Sequence, residues 1–148
     1  MLSADPIHPS VTRKSGHQYF FHDKHHGGGT SEDARWLDEV SQDDEFSIFD
    51  TSDWHNIADD QNWLYGLLRS AEGQLRLLGT WNQQVATFPF TQPGVAWHGY
   101  PLWPLNDEAP PNRQGQKFRP SKAVFEKMQS AGLVTARERK RLIKGDHA

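Results

Sequence analysis

LLGTWNQQVATFPFTQPGVAWHGYPLWPLN, residues 77–106, contains no Asp, Glu, Lys or Arg. It carries Trp81, Phe88, Phe90, Trp97, Tyr100 and Trp103, with prolines at 89, 93, 101 and 104. A neutral, ring-rich belt is either the inside of a domain or a surface built to touch something, and large apolar side chains are most often buried. Val85–Phe90 has the composition of a strand, which Pro89 restricts to a sheet edge or a strand end. Val95–Tyr100 suits a second short strand, and the prolines beyond it favour extended or turn geometry. Residues 74–105 thus read as a small antiparallel sheet or an irregular aromatic layer in the middle of the molecule.

Working outward on the N-terminal side, Thr51, Ser52 and Asp53 can cap a helix. Trp54, Ile57, Ala58, Leu64, Tyr65 and Leu68 then recur at the spacing of one helical face, which predicts a helix over 53–69. A shorter helix is expected from Ser31, with Glu32 and Asp33 in its first turn and Trp36, Leu37 and Val40 on one face. The acidic run 41–45 reads as a loop, and Phe46 and Ile48 as a short strand or extended linker. Residues 1–30 lack apolar periodicity and run into Gly27, Gly28 and Gly29, so they read as a disordered arm.

The C-terminal side has sharper local signals. Ser121 can cap a helix bearing Val124, Phe125 and Met128, and Gly132 sits where a left-handed stop belongs. Thr135 and Glu138 have the spacing of a capping box for a second helix that ends at Gly145. The expected fold is a small α+β domain over residues 31–148. Helices pack on the sheet or aromatic layer, and a helical hairpin over 121–144 closes one end.

Composition limits the chemistry. At 148 residues and 35% hydrophobic content the chain suits one domain. Cysteine is absent, which excludes disulfides, thiolate metal sites and cysteine nucleophiles. No apolar run is long enough to cross a membrane once the prolines of the belt are counted, so no membrane partner is expected and a cytoplasmic location is the default. Charge is segregated. Residues 31–60 hold eleven acids against Arg35 alone, and residues 113–144 hold ten bases against Glu126 and Glu138. Separation on this scale bears on partners rather than on fold.

Three readings of function stay open. In the first, favoured by the sequence, the protein is non-enzymatic and docks a protein partner, or itself, through Trp97, Tyr100 and Trp103. In the second it is a small hydrolase or nuclease. His98, between two large rings and beside Gly99, is the acid/base, since imidazole titrates nearest neutrality, and Arg113 or Arg119 stabilises a phosphate. In the third, Arg137, Arg139, Lys140 and Arg141 hold nucleic acid through its phosphates. His17, His22, His25 and His26 have spacings open to a metal, but nothing nearby fixes a geometry, so neither a metal site nor a cofactor is expected. No phosphate loop, nucleophile elbow or H-E-x-x-H motif is present.

Overall fold

A computed structural model describes residues 10–22, 25–26, 34–102 and 120–148. Its longest helix, α1, spans Gln42–Trp54. It begins inside the acidic run read as a loop. The Ser41 hydroxyl accepts from the Asp44 amide at 3.0 Å, and the Asp44 carboxylate accepts from the Ser41 amide at 3.0 Å. Asp43, Asp44 and Glu45 fill the first turn, where carboxylates offset the positive helix end. Phe46 and Ile48 are therefore helical, not extended. The expected helix from Ser31 is not formed over 34–40, where Trp36 pairs antiparallel with Gly79; residues 31–33 lie outside the described residues.

The helix expected over 53–69 is likewise corrected. α1 stops at Trp54, and Asn56 and Asn62 take positive φ values of 51° and 66°, a conformation asparagine tolerates better than most residues. Between them the Asp59 carboxylate accepts from the amides of Gln61 (2.8 Å) and Trp63 (3.0 Å) and from the Tyr65 hydroxyl (2.8 Å). This turn chemistry outcompetes the helical path. The apolar residues beyond it form a strand, Leu64–Gly66, buried throughout.

Among the described residues the elements then run as follows. A two-residue strand β1 (Val11–Thr12) pairs antiparallel with β2 (Gln18–Tyr19). After α1, β3 (Leu64–Gly66), β4 (Ala86–Phe88) and β5 (Tyr100–Pro101) make an antiparallel sheet with β4 central. Leu64 faces Phe88 and Thr87 faces Tyr100. The α+β class and the strand within Val85–Phe90 are thus as expected. Pro101 sits on an edge strand, where its missing amide costs no ladder bond. No helix among the described residues is long and apolar enough to cross a membrane.

The hairpin forms as read. α2 spans Lys122–Ser130 and α3 spans Ala136–Lys144. Gly132, at φ 77°, carries the stop, with Leu133 N–H donating to the Met128 carbonyl at 2.9 Å and Gly132 N–H to Gln129 at 2.9 Å. The Thr135–Glu138 capping box is closed in both directions. Arg69 ties the hairpin to the rest, bonding both Glu138 oxygens (2.6 and 3.0 Å) and the Leu133 carbonyl (2.9 Å).

Two apolar clusters result. Val124, Phe125, Met128 and Leu142 of the hairpin pack with Ile57, Tyr65, Leu75 and Val85. Ile48, Phe49, Leu78, Phe88 and Trp97 pack with Tyr19 and Phe21. The first thirty residues, expected to stay out of the core, therefore supply two of its rings; residues 1–9 lie outside the described residues. Arg13 clamps this hairpin to α1. Its Nε and Nη2 donate to the Asp50 carboxylate at 3.1 and 2.7 Å, with the guanidinium 3.8 Å from the centre of the Phe46 ring.

α1 crosses β3 at Gly66. A β-carbon there would meet Ile48 Cγ2 at 2.5 Å and the Ile48 carbonyl oxygen at 3.0 Å, so only glycine lets the two backbones approach. Gly66→Ala should lower stability by about 1–3 kcal/mol through overpacking. Urea denaturation reads this directly, and an unchanged midpoint would contradict the contact.

Candidate functional site

Phe20 N–H donates to the Trp97 carbonyl at 2.9 Å, and Trp97 N–H donates to the Gln18 carbonyl at 2.7 Å. Tyr19 and Trp97 are thereby bridged in parallel. Side chains alternate along extended backbone. Tyr19, Phe21, Trp97 and Gly99 turn inward and are buried, whereas Phe20, His22, His98 and Tyr100 are half-buried on the other side. Gly99 is required inside, because a β-carbon there would lie 2.3 Å from the Phe88 ring. Its carbonyl accepts from Trp36 Nε1 at 3.1 Å.

This alternation gathers imidazoles from distant parts of the sequence. The His98 ring centre is 5.2 Å from Phe20, 5.3 Å from His22 and 5.9 Å from His25. His22 and His25 are 5.5 Å apart, and Tyr100 stacks on His25 at 4.8 Å. His25 is buried and oriented: its Nδ1 lies 2.6 Å from the Ala34 carbonyl. A carbonyl only accepts, so the Nδ1 proton is held there and the lone pair of the neutral ring is on Nε2.

Arg35 lies beside the cluster. Its neighbours both bond His25, Ala34 through that carbonyl and Trp36 through its amide, which donates to the His25 carbonyl at 3.0 Å. Ala34 and Trp36 are buried and Arg35 is half-buried, as alternation requires.

Beneath the cluster runs a polar chain. His26 Nδ1 lies 2.6 Å from the His22 carbonyl and Nε2 lies 2.7 Å from Glu45 Oε1. Tyr19 donates its hydroxyl to Glu45 Oε2. Burial pushes the Glu45 carboxyl above its ordinary value, while the hydrogen bonds from His26 and Tyr19 oppose the shift. Burial, with Glu45 alongside, also raises the Tyr19 phenol.

The residues singled out in the sequence are redistributed. Trp97 is 6% exposed and packs on Phe49, so it belongs to the core. Tyr100 is half-buried in the imidazole cluster. Trp103, Arg113 and Arg119 lie outside the described residues. Arg137, Lys140 and Arg141 are exposed, whereas Arg139 is half-buried. Of the N-terminal histidines singled out, His17 meets Asp53 at 2.9 Å, His26 meets Glu45, and His22 and His25 approach His98. The sequence reading does not single out Arg35, the lone base among the acids of residues 31–60, whose chain neighbours bond His25.

No protein-family model matches the chain, and neither a curated protein nor a solved structure is detectably similar to it.

A carboxyl raised by burial binds its proton at higher pH folded than unfolded. Glu45 therefore contributes stability that is complete below the unfolded carboxylate range, about pH 4.3, and is lost as pH rises through its folded value. Relative to Glu45→Gln, the wild type should lose stability as pH rises above the unfolded carboxylate range, about pH 4.3. Denaturation midpoints of the two proteins at several pH values test this, and parallel profiles would refute it.

Proposed function

We propose that the protein is a small hydrolase cleaving phosphodiester bonds in RNA, with His98 and His22 as the proton-transferring pair. The observation that carries this reading is the convergence of His22, His25 and His98 on one half-open face beside Arg35. Ring centres 5.3 Å apart let two imidazoles reach oxygens of one phosphoryl group. One neutral imidazole takes the proton from a ribose 2′-hydroxyl as its oxygen forms a bond to phosphorus. The other, protonated, gives its proton to the departing 5′-oxygen as that P–O bond breaks. The product is a cyclic phosphate, which water opens with the two roles exchanged. His25, held by Ala34, positions the pair from beneath. Arg35 offsets the charge that develops on the phosphoryl oxygens.

His98→Ala and His22→Ala should each slow cleavage of a generic oligoribonucleotide by roughly 100-fold or more, with circular dichroism unchanged. The rate should trace a bell against pH, one limb vanishing in each variant. A wild type that leaves the substrate intact, or a His98→Ala variant as fast as the wild type, would end this reading.

A second reading, a docking protein for another protein or for itself, is favoured by one observation. Trp54, at the end of α1, is 81% exposed and borders a groove of about 230 Å³ lined also by Lys14, Asp50, Asp53 and His55. An exposed indole in a shallow groove is a characteristic interface anchor. On this reading the wild type shows a mass that grows with concentration and Trp54→Ala stays monomeric in sedimentation. A wild type that is monomeric throughout, with no partner retained on it, counts against docking.

A further inference from the structure

A strip of residues in contact, from Arg35 through Thr80–Asn82 and His147 to Arg141, links the imidazole cluster to the basic helix. Arg35, one residue from both His25 contacts, accepts from Thr80 N–H at 3.1 Å through its carbonyl. Trp81 follows, half-buried at the turn. The Asn82 carbonyl lies 2.7 Å from His147 Nε2, and the His147 carbonyl accepts from Arg141 Nε at 2.8 Å. Arg141 opens onto the outer stripe of α3. Arg137, Lys140, Arg141 and Lys144 share one helical face by their spacing, and all four are exposed. That stripe runs for about 10 Å at the rise of a helix. Glu138, the acid of α3, faces away from it toward Arg69.

We propose that this strip is the track of a single-stranded RNA. Its scissile phosphate lies at His22 and His98, a base stacks on Trp81, and the phosphates on one side of the cut run along α3. Charge complementarity identifies the occupant. Four exposed cations in one row suit a chain of phosphates, whose counterions they displace. An indole between the cation row and the cluster suits an unstacked base, which a duplex does not offer. The track rests on the hydrolase reading for the position of the cut, but binding along it can be measured separately.

The probe is a fluorescently labelled twelve-nucleotide RNA without secondary structure, bound to the His98→Ala chain so that cleavage does not intervene. Binding should weaken steeply with salt. Lys140→Ala/Lys144→Ala, two exposed changes that leave the core untouched, should reduce the slope of log K against log salt by about 1.4. Trp81→Ala should weaken binding roughly tenfold, and Trp81→Phe should restore most of it. A blunt duplex of equal charge should bind less well. An unchanged salt slope in the double lysine variant, duplex binding as tight as single-strand binding, or no binding at low salt would overturn the track. If the RNA binds as described but the wild type does not cleave it, the track stands and the hydrolase reading falls. If the wild type cleaves but the lysine changes alter nothing, the reverse holds.

Discussion

Two hydrogen bonds on the backbone of Trp97, from Phe20 and to Gln18, set the arrangement of the molecule. They fix the register of the N-terminal segment against the belt, and register decides which side chains face which way. Shifted by one residue, Tyr19 and Phe21 would leave the core and Phe20 and His22 would enter it. In the observed register, two inward rings complete the apolar cluster around Phe49 and Phe88. The same step places His22 next to His98 on the outer side. Core and site are thus alternate faces of one pairing.

Several close approaches keep that pairing tight. Gly99 lets the Phe88 ring close against the belt. Gly66 lets α1 lie on β3, and Gly79 leaves room for the Gln83 side chain and Pro101. The acids of α1 are held largely by bases of the N-terminal hairpin and its surroundings: Asp50 by Arg13, Asp53 by His17, and Asp44 by Arg76 at 3.5 Å. Among the described residues, therefore, no carboxylate of α1 is paired with a base of the C-terminal hairpin. One bidentate link, Arg69 to Glu138, holds the hairpin at its base, and the outer row of α3 is left facing solvent.

The parts of this structure that were legible in the sequence are those decided by neighbours along the chain. The hairpin is the clearest case. Its Gly132 stop and Thr135–Glu138 cap each involve residues within a turn or two, and both formed as read. The strand in Val85–Phe90 also followed from composition. α1 was misplaced by about a dozen residues because Ser41 and Asp44 were lost among acids that read as a solvated loop. The periodicity from Trp54 to Leu68 was genuine but belonged to a helix end, a turn and a strand. Asn56, Asp59 and Asn62 held the contrary signal. His98 could be named from its immediate setting. Its companions could not, since His22 and His25 approach it only through pairing between segments far apart in sequence. A two-residue strand such as Gln18–Tyr19 leaves no periodicity to read.

The parallel bridge between Tyr19 and Trp97 spans more than half of the chain, and contacts of such long sequence separation form late because the intervening loop must first be closed. On the ribosome, the segment bearing Tyr19 emerges early and waits until the belt has been made. During that interval Tyr19, Phe20 and Phe21 have no native partner to cover them, a stretch suited to transient capture by a chaperone. The two α-helices of the C-terminal hairpin, whose contacts are local, close as soon as they are released.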